Sequence, residues 1–118
     1  PDRLDAVDYP KAPLNSYHQI ASKLDQSIIN TVSLEDAHRY NDLSLLENFT
    51  QTKIIFGLVK IASSEEETID EIQSRIRNAL KHIKIEQLMA APDCGLGHLP
   101  RDLAKNKLKT MVEAVKDF

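Results

Sequence analysis

The apolar run from Lys53 to Ile61, Lys-Ile-Ile-Phe-Gly-Leu-Val-Lys-Ile, limits the possible folds more than any other feature of the sequence. It has the length of one strand, and its nearly unbroken apolar character is typical of a strand that is buried on both faces. Such strands belong to parallel sheets that helices cover on each side. We therefore predict an α/β protein built around a parallel sheet.

Helical and strand patterns alternate along the chain, which favours right-handed parallel βαβ units. Strands are predicted at 28–34, 53–61 and 88–91. Helices are predicted to begin at Asn15, Asp42, Ser64 and about Arg101. Ser64 and Glu67 fit a Ser-x-x-Glu capping box. The last helix is expected to turn five residues inward, namely Ala104, Leu108, Met111, Val112 and Val115. Residues 1–13 hold three prolines without periodicity, so we expect a loop there.

Polar residues follow each predicted strand. Glu35 follows the first, the segment 62–64 follows the second, and Asp93 and Cys94 follow the third. Because parallel strands end at the same edge of a sheet, these residues are expected to gather there. Gly95 and Gly97 would permit a tight turn with positive φ that leaves Cys94 facing a cavity.

Cys94 is the only cysteine, and its role is open from the pattern alone. It suits a metal ligand, a nucleophile or a small buried apolar residue, and free cysteines are most often the last. Zinc spacings such as Cys-x-x-Cys are missing from the sequence. His38 and His98 fall in the same loops and are candidates for chemistry, but bonding a backbone carbonyl is an equal alternative.

Composition excludes several classes of partner. The net charge of −3 provides no basic field for nucleic acid or an anionic membrane. No apolar run approaches the roughly 18 residues of a membrane span, and the start does not resemble a signal peptide. One cysteine cannot form an internal disulfide, so a cytoplasmic setting is expected.

Three parallel strands alone would leave unpaired backbone groups along both edges of the sheet. We therefore expect a larger sheet whose other strands precede Pro1.

Several of these segments together resemble the cobalamin-independent methionine synthases. The most specific is Pro92-Asp-Cys-Gly-Leu96, followed by Lys107-Leu108 and Met111-Val112. The resemblance extends back through Val32-Ser-Leu-Glu-Asp-Ala-His-Arg39 and the strand at 55–61, and it covers nearly the whole chain.

The resemblance implies that residues 1–118 are the C-terminal part of a (β/α)8 TIM-type barrel, about strands six to eight with their flanking helices. It also implies zinc at the C-terminal face of that barrel, with Glu35 and Cys94 in the positions of two metal ligands. The family's His-x-Cys ligand pair has no counterpart here. A missing N-terminal barrel segment or a partner chain is expected to supply it, so the 118 residues alone are expected to be inactive.

The implied activity is zinc-dependent methyl transfer to a thiol in methionine biosynthesis, like that of 5-methyltetrahydropteroyltriglutamate–homocysteine S-methyltransferase. Homocysteine or another small thiol would accept the methyl group, and a methyl-folate would donate it. Ala62 stands where the family has a His that gives a proton to the departing folate, so either His38 or His98 replaces it or the donor is not a folate. A third possibility is a non-catalytic association module in which Cys94 is a core thiol.

Overall fold

The structure is a computed structural model that describes residues 15–38 and 40–118. The helices are α1 (Asn15–Asp25), α2 (Ile69–Ala79) and α3 (Arg101–Val115), and the strands are β1 (Thr31–Leu34), β2 (Lys53–Val59) and β3 (Leu88–Pro92). Short 3-10 helices lie at Leu43–Asn48 and Ile85–Gln87. The loop predicted at 1–13 falls outside the described residues.

The three strands form one parallel sheet in the order β1-β2-β3, which confirms the predicted α/β class. β2 is central and pairs with both neighbours, with Ile54 opposite Val32 on one side and Leu88 on the other. Its side chains at 54, 56, 58 and 59 are buried, as the unbroken apolar run predicted. The register between β2 and β3 shifts between Gly57 and Val59, next to the residues that follow β3.

The amino-terminal edge of the sheet is fixed by Asp25, the last residue of α1. This buried carboxylate accepts hydrogen bonds from Thr50 Oγ1 (2.7 Å), Gln51 N (3.1 Å), Thr52 N (3.0 Å) and Thr52 Oγ1 (2.8 Å). Burial alone would raise its pKa, but the hydrogen bonds outweigh burial and hold the pKa of Asp25 well below its usual value. Asp25 therefore ties the end of α1 to the chain that enters β2.

The predicted capping box at Ser64 and Glu67 is wrong. Helix α2 begins at Ile69, and its capping box is formed by Thr68 and Glu71. The Glu67 carboxylate bonds elsewhere, because its Oε2 accepts a hydrogen bond from Lys60 N at 2.7 Å. Glu67 is therefore not available for the cap that the sequence suggested at Ser64.

Helix α3 is rotated relative to the prediction. Met111 is buried as expected, but Leu108 and Val112 are 38% and 47% exposed, and Lys107 and Ala114 are buried in their place. Among the described residues, no helix has the length and apolar character needed to cross a membrane.

Candidate functional site

The loops that follow the three strands are hydrogen-bonded to one another. Asp93 N donates to Val59 O at 3.0 Å, which joins the end of β3 to the end of β2. The predicted gathering of these loops at the carboxyl edge of the sheet is therefore confirmed.

Asp93 makes the most extensive connection between the loops. Asp93 is 5% exposed, and its carboxylate accepts three backbone N–H groups from the loop after β1. Oδ1 accepts from Asp36 N (3.1 Å) and Ala37 N (3.0 Å), and Oδ2 accepts from His38 N (2.9 Å). Hydrogen bonds to an ionised acceptor are stronger than neutral ones, so this contact holds the two loops together firmly.

Gly57 provides the space for that carboxylate. A Cβ at Gly57 would overlap Asp93 Oδ1 and lie 3.0 Å from Asp93 Cγ. Glycine inside a strand often marks a close approach of this kind, but the sequence does not say which group approaches.

The loop after β1 is also anchored from the helix side. Asp36 is buried, and its Oδ2 accepts a hydrogen bond from Arg75 Nη2 at 2.9 Å. Arg75 also donates to Leu58 O at 2.9 Å and Gly57 O at 3.0 Å. Sequence reasoning missed both residues, since they lie 39 positions apart and Arg75 fits the polar face expected of a surface helix.

The loop after β2 is held from two sides. His38 Nε2 accepts hydrogen bonds from Ile61 N (2.9 Å) and Ala62 N (3.2 Å), so the proton of the neutral ring resides on Nδ1. On the other side, Lys107 Nζ donates to Lys60 O at 3.0 Å and lies 3.3 Å from Glu67 Oε1. Lys107 is 1% exposed, so these two contacts replace the water that its ammonium group loses on burial.

The two predicted metal ligands lie beside these connections. Glu35 directly precedes Asp36, Cys94 directly follows Asp93, and both Glu35 and Cys94 are exposed. The interpretation of Cys94 as a buried core thiol is therefore wrong. The positive φ predicted for Gly95 and Gly97 is wrong as well, because no glycine in the described residues adopts one.

A carboxylate and a thiolate are both suitable zinc donors, so the chemistry of this pair fits the metal. Within residues 15–38 and 40–118, however, no group of three or more His, Cys, Asp or Glu could hold a metal ion. Glu35 and Cys94 therefore fit zinc as part of a larger ligand set. His98, the remaining predicted residue, is exposed in the segment between β3 and α3.

These features define an α/β protein with a thiol and carboxylates at the carboxyl edge of parallel strands, where proteins of this class place their functional groups. Comparison with known families identifies it further. The family described as "Cobalamin-independent synthase, Catalytic domain" matches residues 14–117, and the chain belongs to that family. The resemblance read from the Pro92–Leu96 motif is thereby confirmed.

Individual relatives agree with this assignment. The chain is 34% identical over 103 residues to the methionine synthase of Pyrococcus abyssi, covering 86% of this chain and 30% of that protein. It is 33% identical to the methionine synthase of Thermococcus kodakarensis, covering 86% of this chain and 31% of that protein. A solved structure, the B12-independent methionine synthase from Shewanella sp. W3-18-1 in complex with selenomethionine, matches with a TM-score of 0.76 and 28% identity, over 86% of this chain and 30% of the other. The chain thus spans about 30% of the length of the relatives it matches.

Proposed function

We propose that this chain forms the last three strands of a (β/α)8 barrel and that other segments continue its sheet on both sides. The two outer strands support this proposal, because each borders an open apolar groove. The groove beside β1 has a volume of about 340 Å³ and includes Tyr17, Ile20, Leu24, Val32 and Leu34. The groove beside β3 has a volume of about 380 Å³ and includes Leu88, Met89, Val115 and Phe118. Apolar surface of this extent is normally covered by another part of the protein.

The proposed activity of the completed barrel is methyl transfer to the thiol of homocysteine, with a methyl-folate as donor. The observation that carries this proposal is the placement of Glu35 and Cys94 at two loops that the Asp93 carboxylate joins. The same Cys94 lies in the motif that indicated the family.

In the completed barrel, Glu35 and Cys94 would hold zinc together with ligands from outside the chain. Zinc held there would lower the pKa of the acceptor thiol and so favour the thiolate near neutral pH. Transfer of the methyl group to that sulfur would leave the electron pair on the departing nitrogen of the donor, which would then need a proton. Ala62 cannot supply that proton. His98 is the proposed source in this chain, because the His38 ring stays neutral while its Nε2 accepts two backbone N–H groups, and a neutral imidazole is too weak an acid to give up its Nδ1 proton.

A second candidate keeps the same acceptor chemistry with a methyl donor other than folate. The specific observation in its favour is Ala62, where the family resemblance implies a proton-donating His. His38 Nε2 cannot take over while it accepts the N–H groups of Ile61 and Ala62.

The test is a methyl-transfer assay on the zinc-loaded full-length protein, with homocysteine and a panel of methyl donors. We expect methionine to form. We expect Glu35→Gln and Cys94→Ser each to lower kcat/KM by about 100-fold or more, because losing a ligand should cost at least as much as losing a group that only orients one, which costs about 10- to 100-fold. Asp102→Asn, at an exposed position of α3, is the matched control and should keep wild-type activity. Activity with a non-folate donor alone would favour the second candidate. A zinc-loaded protein that methylates no thiol with any donor would contradict both.

A further inference from the structure

The loops that carry Glu35 and Cys94 are joined by a buried group to which neither the family resemblance nor the proposed mechanism assigns a role of its own. This group is the Asp93 carboxylate, which accepts three backbone N–H groups at 2.9–3.1 Å from residues 36–38. One peptide bond separates the acceptor residue from Cys94, and one peptide bond separates the first donor residue from Glu35. The geometry of these hydrogen bonds therefore fixes the backbone next to both residues.

The carboxylate itself cannot move easily. It lies against Gly57 of β2, in the space that any other side chain at that position would fill. On the opposite side of the loop, Asp36 is bound to Arg75, which also donates to two carbonyl groups of β2. The loop after β1 is thus held between β3 and α2, and its position is set by the sheet.

We propose that Asp93 is a positioning residue for the zinc site and sets the separation of Glu35 and Cys94 before the metal binds. The inference rests on the proposed function, because it assigns a role toward the zinc that Glu35 and Cys94 hold. Groups that orient metal ligands from outside the coordination shell raise metal affinity by removing the need for the ligands to reorganise.

Asp93→Asn is the appropriate variant because it keeps the size of the side chain and changes its hydrogen-bonding capacity. An amide has one acceptor oxygen, and its NH₂ group would face at least one of the three backbone N–H donors. The contact between the two loops would weaken while Glu35 and Cys94 remain in the sequence.

Asp25→Asn provides a matched control for stability. Asp25 is also a buried carboxylate with several hydrogen bonds, but it lies at the amino-terminal edge of the sheet. Both variants lose hydrogen bonds to a charged carboxylate, but only Asp93 lies next to the proposed zinc ligands. A purely structural role for Asp93 would make the two variants behave alike.

The experiment measures the zinc dissociation constant of the full-length protein by competition with a chromophoric chelator, well below the melting temperature of each variant. We expect zinc to bind about 10- to 100-fold more weakly to Asp93→Asn than to wild type, and within about twofold of wild type to Asp25→Asn. In the zinc-loaded protein, Cys94 should be alkylated faster in Asp93→Asn than in the control. Wild-type zinc affinity in a folded Asp93→Asn protein would overturn the inference alone, and a wild-type protein that binds no zinc would overturn the proposed function with it.

A second measurement needs no variant. If Asp93 positions the loop before the metal binds, the amides of residues 36–38 should be protected from hydrogen exchange in metal-free wild-type protein. Exchange of these amides at the rate of exposed loop amides would contradict positioning by Asp93.

Discussion

The close approach of Asp93 to Gly57 predicts that Gly57→Ala is strongly destabilising even though alanine is a small residue. The new methyl group would overlap Asp93 Oδ1 and lie 3.1 Å from the backbone Cα of Asp93. The backbone of β3 is fixed by its pairing with β2, so the carboxylate has to leave its position.

The cost follows from the groups that the carboxylate leaves behind. Two of its three N–H donors belong to the buried residues Asp36 and Ala37. An unsatisfied buried donor costs about 1–3 kcal/mol, so the pair predicts a loss of about 2–6 kcal/mol in the free energy of unfolding. The ordinary preference for alanine over glycine in a strand offsets only about 0.5–1 kcal/mol of this loss.

A double-mutant cycle separates this clash from other effects. Asp93→Ala removes the carboxylate and is itself destabilising, but Gly57→Ala should then cost far less, because only the 3.1 Å contact with Asp93 Cα remains. Equilibrium urea unfolding of wild type, both single variants and the double variant gives the coupling free energy, which we expect to be about 2 kcal/mol or more. Additive effects, or a Gly57→Ala variant as stable as wild type, would refute the reasoning.

Two further predictions concern buried charges away from the proposed metal ligands. The lowered pKa of Asp25 contributes stability that is complete above its unfolded pKa of about 3.9 and is lost as the pH falls further toward the folded value. Below about pH 4, the free energy of unfolding should therefore fall more steeply with falling pH in wild type than in Asp25→Asn. Equal slopes of unfolding free energy against pH in the two proteins would argue against a stabilising role for the Asp25 carboxylate. Lys107→Met leaves the Glu67 carboxylate without its cation and should cost about 3–5 kcal/mol, with partial recovery when Glu67→Gln is added. A Lys107→Met protein with the same melting temperature as wild type would show that the Lys107–Glu67 pair contributes no stability.

The sequence predicted the features of this fold that depend on local patterns. The unbroken apolar run at 53–61 indicated a buried parallel strand, and the alternation of elements indicated the topology. The convergence of polar loops followed from that topology, because parallel strands end at one edge. The Pro92–Leu96 motif then indicated the family.

Other features depend on contacts between distant residues, and local patterns could not predict them. Ser64 and Thr68 both begin a capping signal, but the Glu67 carboxylate that the Ser64 signal needs is instead paired with Lys107 of α3, and Thr68 caps the helix. A buried lysine is rare, and the partners of Lys107, Lys60 O and Glu67, lie 47 and 40 residues earlier in the chain. A glycine inside β2 indicated that some other group comes close to the strand at Gly57. That this group is Asp93 follows only from the way β3 pairs with β2 in the structure.

The most direct test of the central claim is zinc K-edge X-ray absorption of the full-length protein, comparing wild type with Cys94→Ser. The proposed role of Cys94 predicts bound zinc with sulfur ligands at about 2.3 Å in wild type and one sulfur ligand fewer in the variant. An unchanged sulfur count in zinc-loaded Cys94→Ser, or a wild-type protein without zinc, would contradict it.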